Sequence, residues 1–352
     1  MQNKQKKIKD ISIDIQEPVL NALKKMDITY KRLLLVFDKD QFNSLISIGD
    51  IQRAIIRNEP LETPIKNILR KKPRFAYEDE DFISIKDAML KYRAECMPVL
   101  NRNQQLVDVL FWEDVFPQTE KRIKTHLGLP VVIMAGGIGS RLKPLTNVLP
   151  KPLIPIGDKT MLEEIFDRFA NYECTDFYIS VNYKADLIEY YIKSQGLPYN
   201  ISFFKEENPL GTAGSLGLLK GVIKKTFFVT NCDILIEQDY SEILDYHRKN
   251  NNEITIVAAL KHYPIPYGII ETGENGQLLE LTEKPELTFK INSGMYVLEP
   301  HLLSEIPSDT FFHITQLIEN IKKRKGRIGV YPVSEKSWKD LGDWSEYRIY
   351  LK

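Results

Sequence analysis

The sequence has no excess of charge of either sign: its 352 residues carry 48 Lys and Arg against 48 Asp and Glu. A surface built throughout for nucleic acid or for an anionic membrane needs one sign to dominate, so no polyelectrolyte partner and no membrane is implied. Cysteine is scarce. Cys96, Cys174 and Cys232 stand far apart with no CxxC pair, which argues against a disulfide framework and against a zinc site, and they read as reduced thiols. The histidines His126, His247, His262, His301 and His313 show neither HxH nor HExxH spacing, so metal-hydrolase chemistry has little support. No uninterrupted apolar run approaches the ~18 residues of a membrane helix, and the Lys-rich start is not followed by the apolar stretch of a secretory signal. A cytoplasmic location is expected. With 43% hydrophobic and 27% charged residues, the chain has enough core for two or three ordinary domains.

An imperfect repeat occupies the first 120 residues. In the first copy a helical pattern (Val19, Leu20, Leu23, Met26) leads to an apolar strand at Leu33 to Phe37, a turn at Asp38-Lys39-Asp40, a second strand around Leu45 and Ile46, and Asp50 opening a helix. The second copy runs the same course: helix Ile85 to Tyr92, strand Met97 to Leu100, turn Asn101-Arg102-Asn103, strand Leu106 to Leu110, and Asp114 opening a short helix. A Ser hydroxyl at Ser47 and a helix-opening carboxylate three residues later could hold a ribose, beside helix N–H groups that attract phosphate. In the second copy Phe111 stands where Ser47 stands in the first. The competing reading is that Asp50 and Asp114 are helix caps.

The order of elements, with Ser47-Ile48-Gly49-Asp50 at the strand-to-helix turn, resembles the tandem cystathionine-β-synthase-like (CBS) module over about residues 8 to 118. The resemblance implies an α+β domain at 1–120 that binds an adenine nucleotide through Ser47 and Asp50 and regulates or assembles the C-terminal part of the chain, as a homo-oligomer. Residues 121–129 read as a linker.

From residue 130 the grammar changes to strands alternating with helices: Val131 to Met134, helix Met161 to Phe169, strand Phe177 to Val181, helix Ala185 to Ile192, strand Ile201 to Phe204, a helix near Ala213 to Leu219, and strand Phe227 to Thr230. Such alternation predicts an α/β domain over 130–352, a Rossmann-like, mostly parallel sheet with ligands at the carboxyl ends of its strands. A strand-rich part comes next, at Ile254 to Leu260, Tyr267 to Ile270, Leu278 to Leu281 and Asn292 to Leu298, and is expected to extend the sheet.

Ala135, Gly136, Gly137 and Gly139 come directly after the first of these strands, and Arg141 and Lys151 stand close by. Glycines there let the backbone approach a phosphate chain, and successive N–H groups form an anion nest. The spacing is not GxGxxG, because Leu142 stands where the third glycine belongs, and no Gly-Lys-Ser/Thr is present at the spacing of a Walker A loop.

Taken whole, Val131 to Ile156 resembles the signature of the sugar-1-phosphate nucleotidyltransferases. Further marks occur in order: Pro209-Leu210-Gly211-Thr212-Ala213-Gly214, Asn231-Cys232-Asp233, Tyr267-Gly268, Glu283-Lys284-Pro285, Asn292-Ser293-Gly294 and Trp338-Lys339-Asp340-Leu341-Gly342. The resemblance implies in-line attack of a sugar-1-phosphate oxygen on the α-phosphorus of a nucleoside triphosphate, with pyrophosphate leaving. It implies Arg141 at the β- and γ-phosphates, Lys151 between α-phosphate and sugar phosphate, Lys284 on the sugar phosphate, and one Mg²⁺ on Asp233 and Asp340. Ala135, Gly136, Gly137, Gly139, Gly211 and Thr212 would hold the nucleotide, with Gly211 letting a purine lie against the backbone. Tyr267, Gly268, Glu283 and Asn292 would hold the sugar. Asp343 competes with Asp340 for the second ligand position. The Thr-Ala-Gly form resembles enzymes using GTP, with glucosamine-, mannose- or heptose-1-phosphate as acceptor, in bacterial surface-sugar pathways including the legionaminic-acid type. Two other readings remain: a nucleotide-sensing protein without turnover, and a cytidylyltransferase acting on a phospho-alcohol.

Overall fold

The computed structural model describes all residues except 1, 40, 71–72, 93, 95, 117–125, 207 and 349–352. Most of the segment expected as a linker, 121–129, thus lies outside the described residues. The chain divides into two compact units, Met1–Ile123 and Lys124–Lys352. Among the described residues no helix is long and apolar enough to cross a membrane.

The first unit begins with helix α1 (Gln2–Asp10), which the sequence pattern does not signal. It continues through β1 (Ser12–Asp14), α2 (Val19–Thr29), β2 (Leu33–Asp38), β3 (Gln41–Ser47) and α3 (Ile48–Ile56), then β4 (Ala76–Tyr77), α4 (Phe82–Tyr92), β5 (Cys96–Leu100), β6 (Leu106–Phe111) and α5 (Trp112–Val115). Each repeat makes a three-stranded sheet of one pattern. Its short first strand pairs parallel with the second, and the second pairs antiparallel with the third. Both antiparallel pairs carry a register shift, at Val36/Phe37 and at Val99/Leu100. Helix α2 forms because Val19, Ala22, Leu23 and Met26 recur at three- and four-residue spacing and are all buried.

The second unit holds β7 (Val131–Met134), α6 (Leu145–Val148), β8 (Pro155–Ile156), β9 (Lys159–Thr160), α7 (Met161–Ala170), β10 (Asp176–Val181), α8 (Ala185–Ser194), β11 (Asn200–Lys205), α9 (Gly211–Gly214), β12 (Phe227–Asn231), β13 (Ile234–Ile236) and α10 (Tyr240–Lys249). After these come β14 (Ile254–Pro264), β15 (Ile269–Thr272), β16 (Leu278–Thr282), β17 (Glu286–Leu298), α11 (Ile314–Lys323), β18 (Ile328–Val333), β19 (Trp338–Asp340) and α12 (Trp344–Tyr347). Its main sheet has seven strands in the order β11-β10-β7-β12-β17-β14-β18. The first four run parallel, β17 runs against both its neighbours, and β18 is parallel to β14.

Alternation along the central strands splits the core into two layers. Val131, Ile133 and Phe228 enter the layer with α7, α8 and α10, where Phe166, Phe169 and Phe177 are fully buried. Val132, Phe227 and Val229 enter the opposite layer with Ala213, Leu216, Leu317 and Ile321. Each fully buried Phe contributes on the order of 1.5–3 kcal/mol, so both faces hold the sheet rigid beneath its carboxyl ends.

The strand-rich part departs from expectation in one respect. The strands expected at Tyr267 to Ile270 and Leu278 to Leu281 do not extend the sheet; as β15 and β16 they pair with each other. Strands β14 and β17 do extend it, and their pairing runs out to Pro264 and Glu286.

Candidate active site

The loop after β7 leaves the sheet at its carboxyl edge. Ala135 is buried, and its N–H donates to the Ser180 carbonyl at 3.0 Å, which pins the loop to β10. Gly139 (φ +71°) starts the turn Ser140–Leu142, and the Thr146 hydroxyl donates to its carbonyl at 3.0 Å. That turn presents Arg141. The next short turn, Lys151–Leu153, begins after Pro150 and presents Lys151.

Four charged groups then converge. The Lys151 ammonium donates to Asp233 Oδ2. Arg141 spans two carboxylates, with Nη1 3.2 Å from Asp340 Oδ2 and Nη2 3.5 Å from Asp233 Oδ2. Burial works against the Arg141 charge, but Asp340, Asp233 and Asp343 outweigh it and hold the guanidinium above its ordinary pKa. Asp233 lies between β12 and β13, immediately before Ile234, and is buried. Asp340 arrives from far along the chain because β19 pairs antiparallel with β13, opposing Asp340 to Ile234, while the Leu341 N–H donates to the Asp233 carbonyl at 2.9 Å. The competitor Asp343 is engaged elsewhere. Its Oδ1 accepts from the Ser345 N–H at 2.8 Å and caps α12.

Gly342 lies against this cluster. A Cβ there would collide with the Asp233 carboxylate and stand 2.6 Å from Lys151 Nζ and 2.9 Å from Arg141 Nη2. The motif therefore needs glycine for close approach, a role that sequence reasoning does not assign.

Gly211 and Thr212 open α9. Gly211 adopts φ +80°, and the Phe312 carbonyl lies 2.9 Å from where its Cβ would be. The space its missing side chain leaves on that side is thus taken by the backbone of Phe312. The same carbonyl accepts from the Ala213 and Gly214 N–H groups at 3.0 and 2.9 Å, and Thr212 Oγ1 accepts from the Ile314 N–H at 3.0 Å. Nothing in the sequence pattern signals this clasp.

Glu206 is a second residue that sequence reasoning misses. It is 6% exposed, accepts from the Ser180 hydroxyl and from the Leu210 N–H at 2.9 Å, and its Oε1 lies 2.9 Å from where a Gly136 Cβ would be. One buried carboxylate thus ties β10, the glycine loop and the Gly211 turn together, and its only sequence signal is an acid directly after an apolar strand. Gly137, by contrast, has nothing within 4 Å of a Cβ position and faces open space.

The expected sugar-side residues lie on the antiparallel part. Gly268 and Glu283 meet, with Glu283 Oε2 2.9 Å from a Gly268 Cβ position. Tyr267 is 74% exposed, and Lys284 is exposed with φ +46° in the turn between β16 and β17. Asn292 donates to the Tyr296 hydroxyl at 2.8 Å, and its Oδ1 accepts from the Gly294 N–H at 3.2 Å. Gly294 packs on Asn231, which brings the part of β17 that holds Asn292 beside the end of β12. Among the described residues no hydrogen bond or ion pair joins Lys284, Glu283 or Asn292 to the four-charge cluster. The Cys232 thiol, adjacent in sequence to Asp233, is buried and pushed up to about 12 by that burial, then by Asp233, so it offers no nucleophile.

In the first unit Ser47 and Asp50 do meet. Asp50 is the third residue of α3, not its cap; Ser47 occupies the cap position, and its N–H and hydroxyl donate to Asp50 Oδ2 at 2.9 and 2.6 Å. Arg70 Nε lies 2.7 Å from Asp50 Oδ1, and Arg53 also donates to that oxygen. Burial alone would raise the Asp50 pKa, but Arg70 and Ser47 outweigh it and hold the carboxyl below its usual range. In the second repeat Phe111 is buried, with the Lys7 and Lys31 ammonium groups 5.3 and 5.9 Å from its ring centre.

Residues 130–350 match the family described as nucleotidyl transferase. The mannose-1-phosphate guanyltransferase of Saccharomyces cerevisiae is 36% identical over 184 residues, 50% of this chain and 51% of its own. That of Pichia angusta is 38% identical over 184 residues, 50% of each chain. The chain spans about half the length of the curated relatives it matches. Among solved structures, HddC from Yersinia pseudotuberculosis superposes with a TM-score of 0.50 at 26% identity, over 63% of this chain and 97% of that one. The same protein complexed with GMP-PN gives 0.50 at 25% identity over 63% and 97%.

Proposed function

The chain belongs to the nucleotidyl transferase family, and from that premise we propose that it transfers a nucleoside monophosphate, GMP from GTP, to a sugar 1-phosphate and releases pyrophosphate. The observation that carries this reading is the cluster of Arg141, Lys151, Asp233 and Asp340 at the carboxyl edge of the sheet. Group transfer of this kind asks the protein to position and to neutralise. Arg141 and Lys151 supply fixed positive charge beside the glycine loop, Arg141 for the departing pyrophosphate and Lys151 for the α-phosphoryl oxygens. Lys284 holds the incoming sugar phosphate. Asp233, just before β13, and Asp340, at the end of its partner β19, offer carboxylate oxygens, a donor set that suits a hard dication, and they would hold Mg²⁺. When bound, the ion supplies charge that neutralises the α-phosphate.

Guanine is favoured by the names of the relatives and by the GMP-PN complex of HddC. Glucosamine-, mannose- and heptose-1-phosphates are the acceptors to test, and a surface-sugar pathway is the proposed setting. The first unit is proposed to be a CBS pair taking an adenine nucleotide at Ser47 and Asp50, with Arg70 displaced, and to mediate homo-oligomer assembly.

The experiment is pyrophosphate release with Mg²⁺, crossing GTP, CTP, UTP and ATP with the three acceptors, glucose-1-phosphate and phosphocholine. Release confined to one pair, and lost in Asp233→Ala and Lys284→Ala, fixes nucleotide and acceptor together. No release with any pair despite triphosphate binding would replace the enzyme by a sensing protein. For the first unit, calorimetric titration of AMP and ATP should show binding that Asp50→Asn removes.

A further inference from the structure

The cluster contains two sets of groups with opposite preferences, and each set currently satisfies the other. Asp233 and Asp340 are carboxylates suited to a metal, and Arg141 and Lys151 are cations suited to phosphate, yet the four form a charge-balanced chain, Lys151–Asp233–Arg141–Asp340. Three of them are sheltered: the side chains of Asp233, Lys151 and Asp340 are 6%, 12% and 20% exposed, against 57% for Arg141. Gly342 lies directly on the quartet, and only its lack of a side chain allows the contact between Lys151 and Asp233. The close packing is therefore built into the backbone.

We propose that Lys151 and Arg141 stand in for the metal's charge on Asp233 and Asp340 until a triphosphate arrives, so that metal and nucleotide bind as a pair and the ligand-free protein has little affinity for the metal. The inference rests on the reading of these two carboxylates as metal ligands.

A buried carboxylate deprived of its cation is strongly destabilised, so Lys151 holds Asp233 in place in the free protein. A dication entering alone would have to share the carboxylates with an ammonium and a guanidinium, and in a sheltered site those like charges repel strongly. A triphosphate changes the balance, because its anionic oxygens accept Lys151 and Arg141 and leave the carboxylate oxygens open. Each cation then has carboxylate partners before the nucleotide binds and phosphate partners afterwards, and no charge is left unpaired in either state.

The test uses Mn²⁺ as the metal and the full chain, tracking the electron paramagnetic resonance signal of the free ion. A triphosphate with a methylene α–β bridge serves as non-reacting nucleotide, and a nucleotide-only titration is subtracted. Ligand-free protein should bind Mn²⁺ weakly, and the analogue should strengthen binding. Lys151→Met should raise the affinity of the ligand-free protein by about thirtyfold or more, the scale expected when a unit positive charge about 4 Å from a dication is removed even with the screening of bulk water. Arg141→Leu should raise it less, since Arg141 is the more exposed. Equal Mn²⁺ affinity with and without the analogue, or no gain in Lys151→Met, overturns the proposal. If Lys151→Met proves unfolded by circular dichroism, Arg141→Leu decides, a gain supporting the idea and no gain overturning it. The underlying metal reading fails separately, if Asp233→Asn and Asp340→Asn bind Mn²⁺ as well as the wild type in the presence of the analogue.

Discussion

Replacing Gly342 with alanine adds a single methyl group, and its consequences can be worked out from the structure. The new Cβ overlaps the Asp233 carboxylate and stands 2.6 Å from Lys151 Nζ and 2.9 Å from Arg141 Nη2. The backbone cannot easily retreat. Leu341 beside it is fully buried with its N–H on the Asp233 carbonyl, and the Gly342 N–H itself donates to Asp340 Oδ1 at 3.0 Å. The strain must therefore be relieved by parting Lys151 from Asp233. Overpacking typically costs about 1–3 kcal/mol, and weakening a charge-assisted hydrogen bond acts on the same scale. For a unit of this size, about 2–4 °C of melting temperature accompanies each kcal/mol, so a fall of roughly 2–10 °C is expected. Activity should suffer more than stability, because displacing reacting groups by about 1 Å can cost about a hundredfold in rate. The assay is thermal denaturation beside pyrophosphate release, with Gly221→Ala as control; Gly221 has φ +79° and open space at its Cβ position, so it tests backbone strain away from the cluster. Turnover within twofold of wild type in Gly342→Ala, whatever its melting temperature, would refute the reasoning.

Asp340→Ala should abolish pyrophosphate release, whereas Asp343→Ala should keep it and lower the melting temperature only slightly, since Asp343 caps α12; the two kinetic profiles checked side by side decide the assignment. Glu206→Ala should cost about 1–3 kcal/mol in urea denaturation, because the buried Leu210 N–H loses its acceptor, while Glu206→Gln keeps one acceptor oxygen and should cost less. Hydrogen bonds from Arg324 hold the Glu253 carboxyl at about 2, against an ordinary value of 4.5. A depressed folded-state value gives stability that is present above about 4.5 and lost as pH falls toward 2. The difference in urea midpoint between wild type and Glu253→Gln should therefore be full at pH 6 and shrink steadily below pH 4.5; a constant difference would contradict the assignment.

The alternating core of the second unit is legible in the sequence because its strands are long enough to display their character. Phe177 to Val181 and Phe227 to Thr230 are apolar runs bounded by turn residues, and both are strands at those positions. The proximity of Asp233 and Asp340 is legible only through the ordered motifs, because its cause is the pairing of β13 with β19, two strands of three residues each. No periodicity can be read in so short a span. Glu206 escapes because an acid after a strand looks like a solvated turn; only the fold shows that the glycine loop and the Gly211 turn enclose it. Helix α1 carries no apolar stripe in QNKQKKIKD, so nothing distinguishes it from a polar tail. Helix α11 is a different case, since Ile314, Leu317 and Ile321 are buried at helical spacing and the pattern is visible in the sequence, although no helix is among the expectations there.

The way Asp340 reaches the site also bears on how the protein is made and broken. All seven strands of the main sheet are complete once Val333 has been synthesised, so the scaffold with its glycine loop, Arg141, Lys151 and Asp233 precedes Asp340 off the ribosome. A nick or premature stop between Val333 and Trp338 would spare that sheet and remove Asp340 and Gly342 together. Proteolysis at this point would leave a sheet that still presents the Arg141 and Lys151 cations and Asp233 but lacks the second carboxylate.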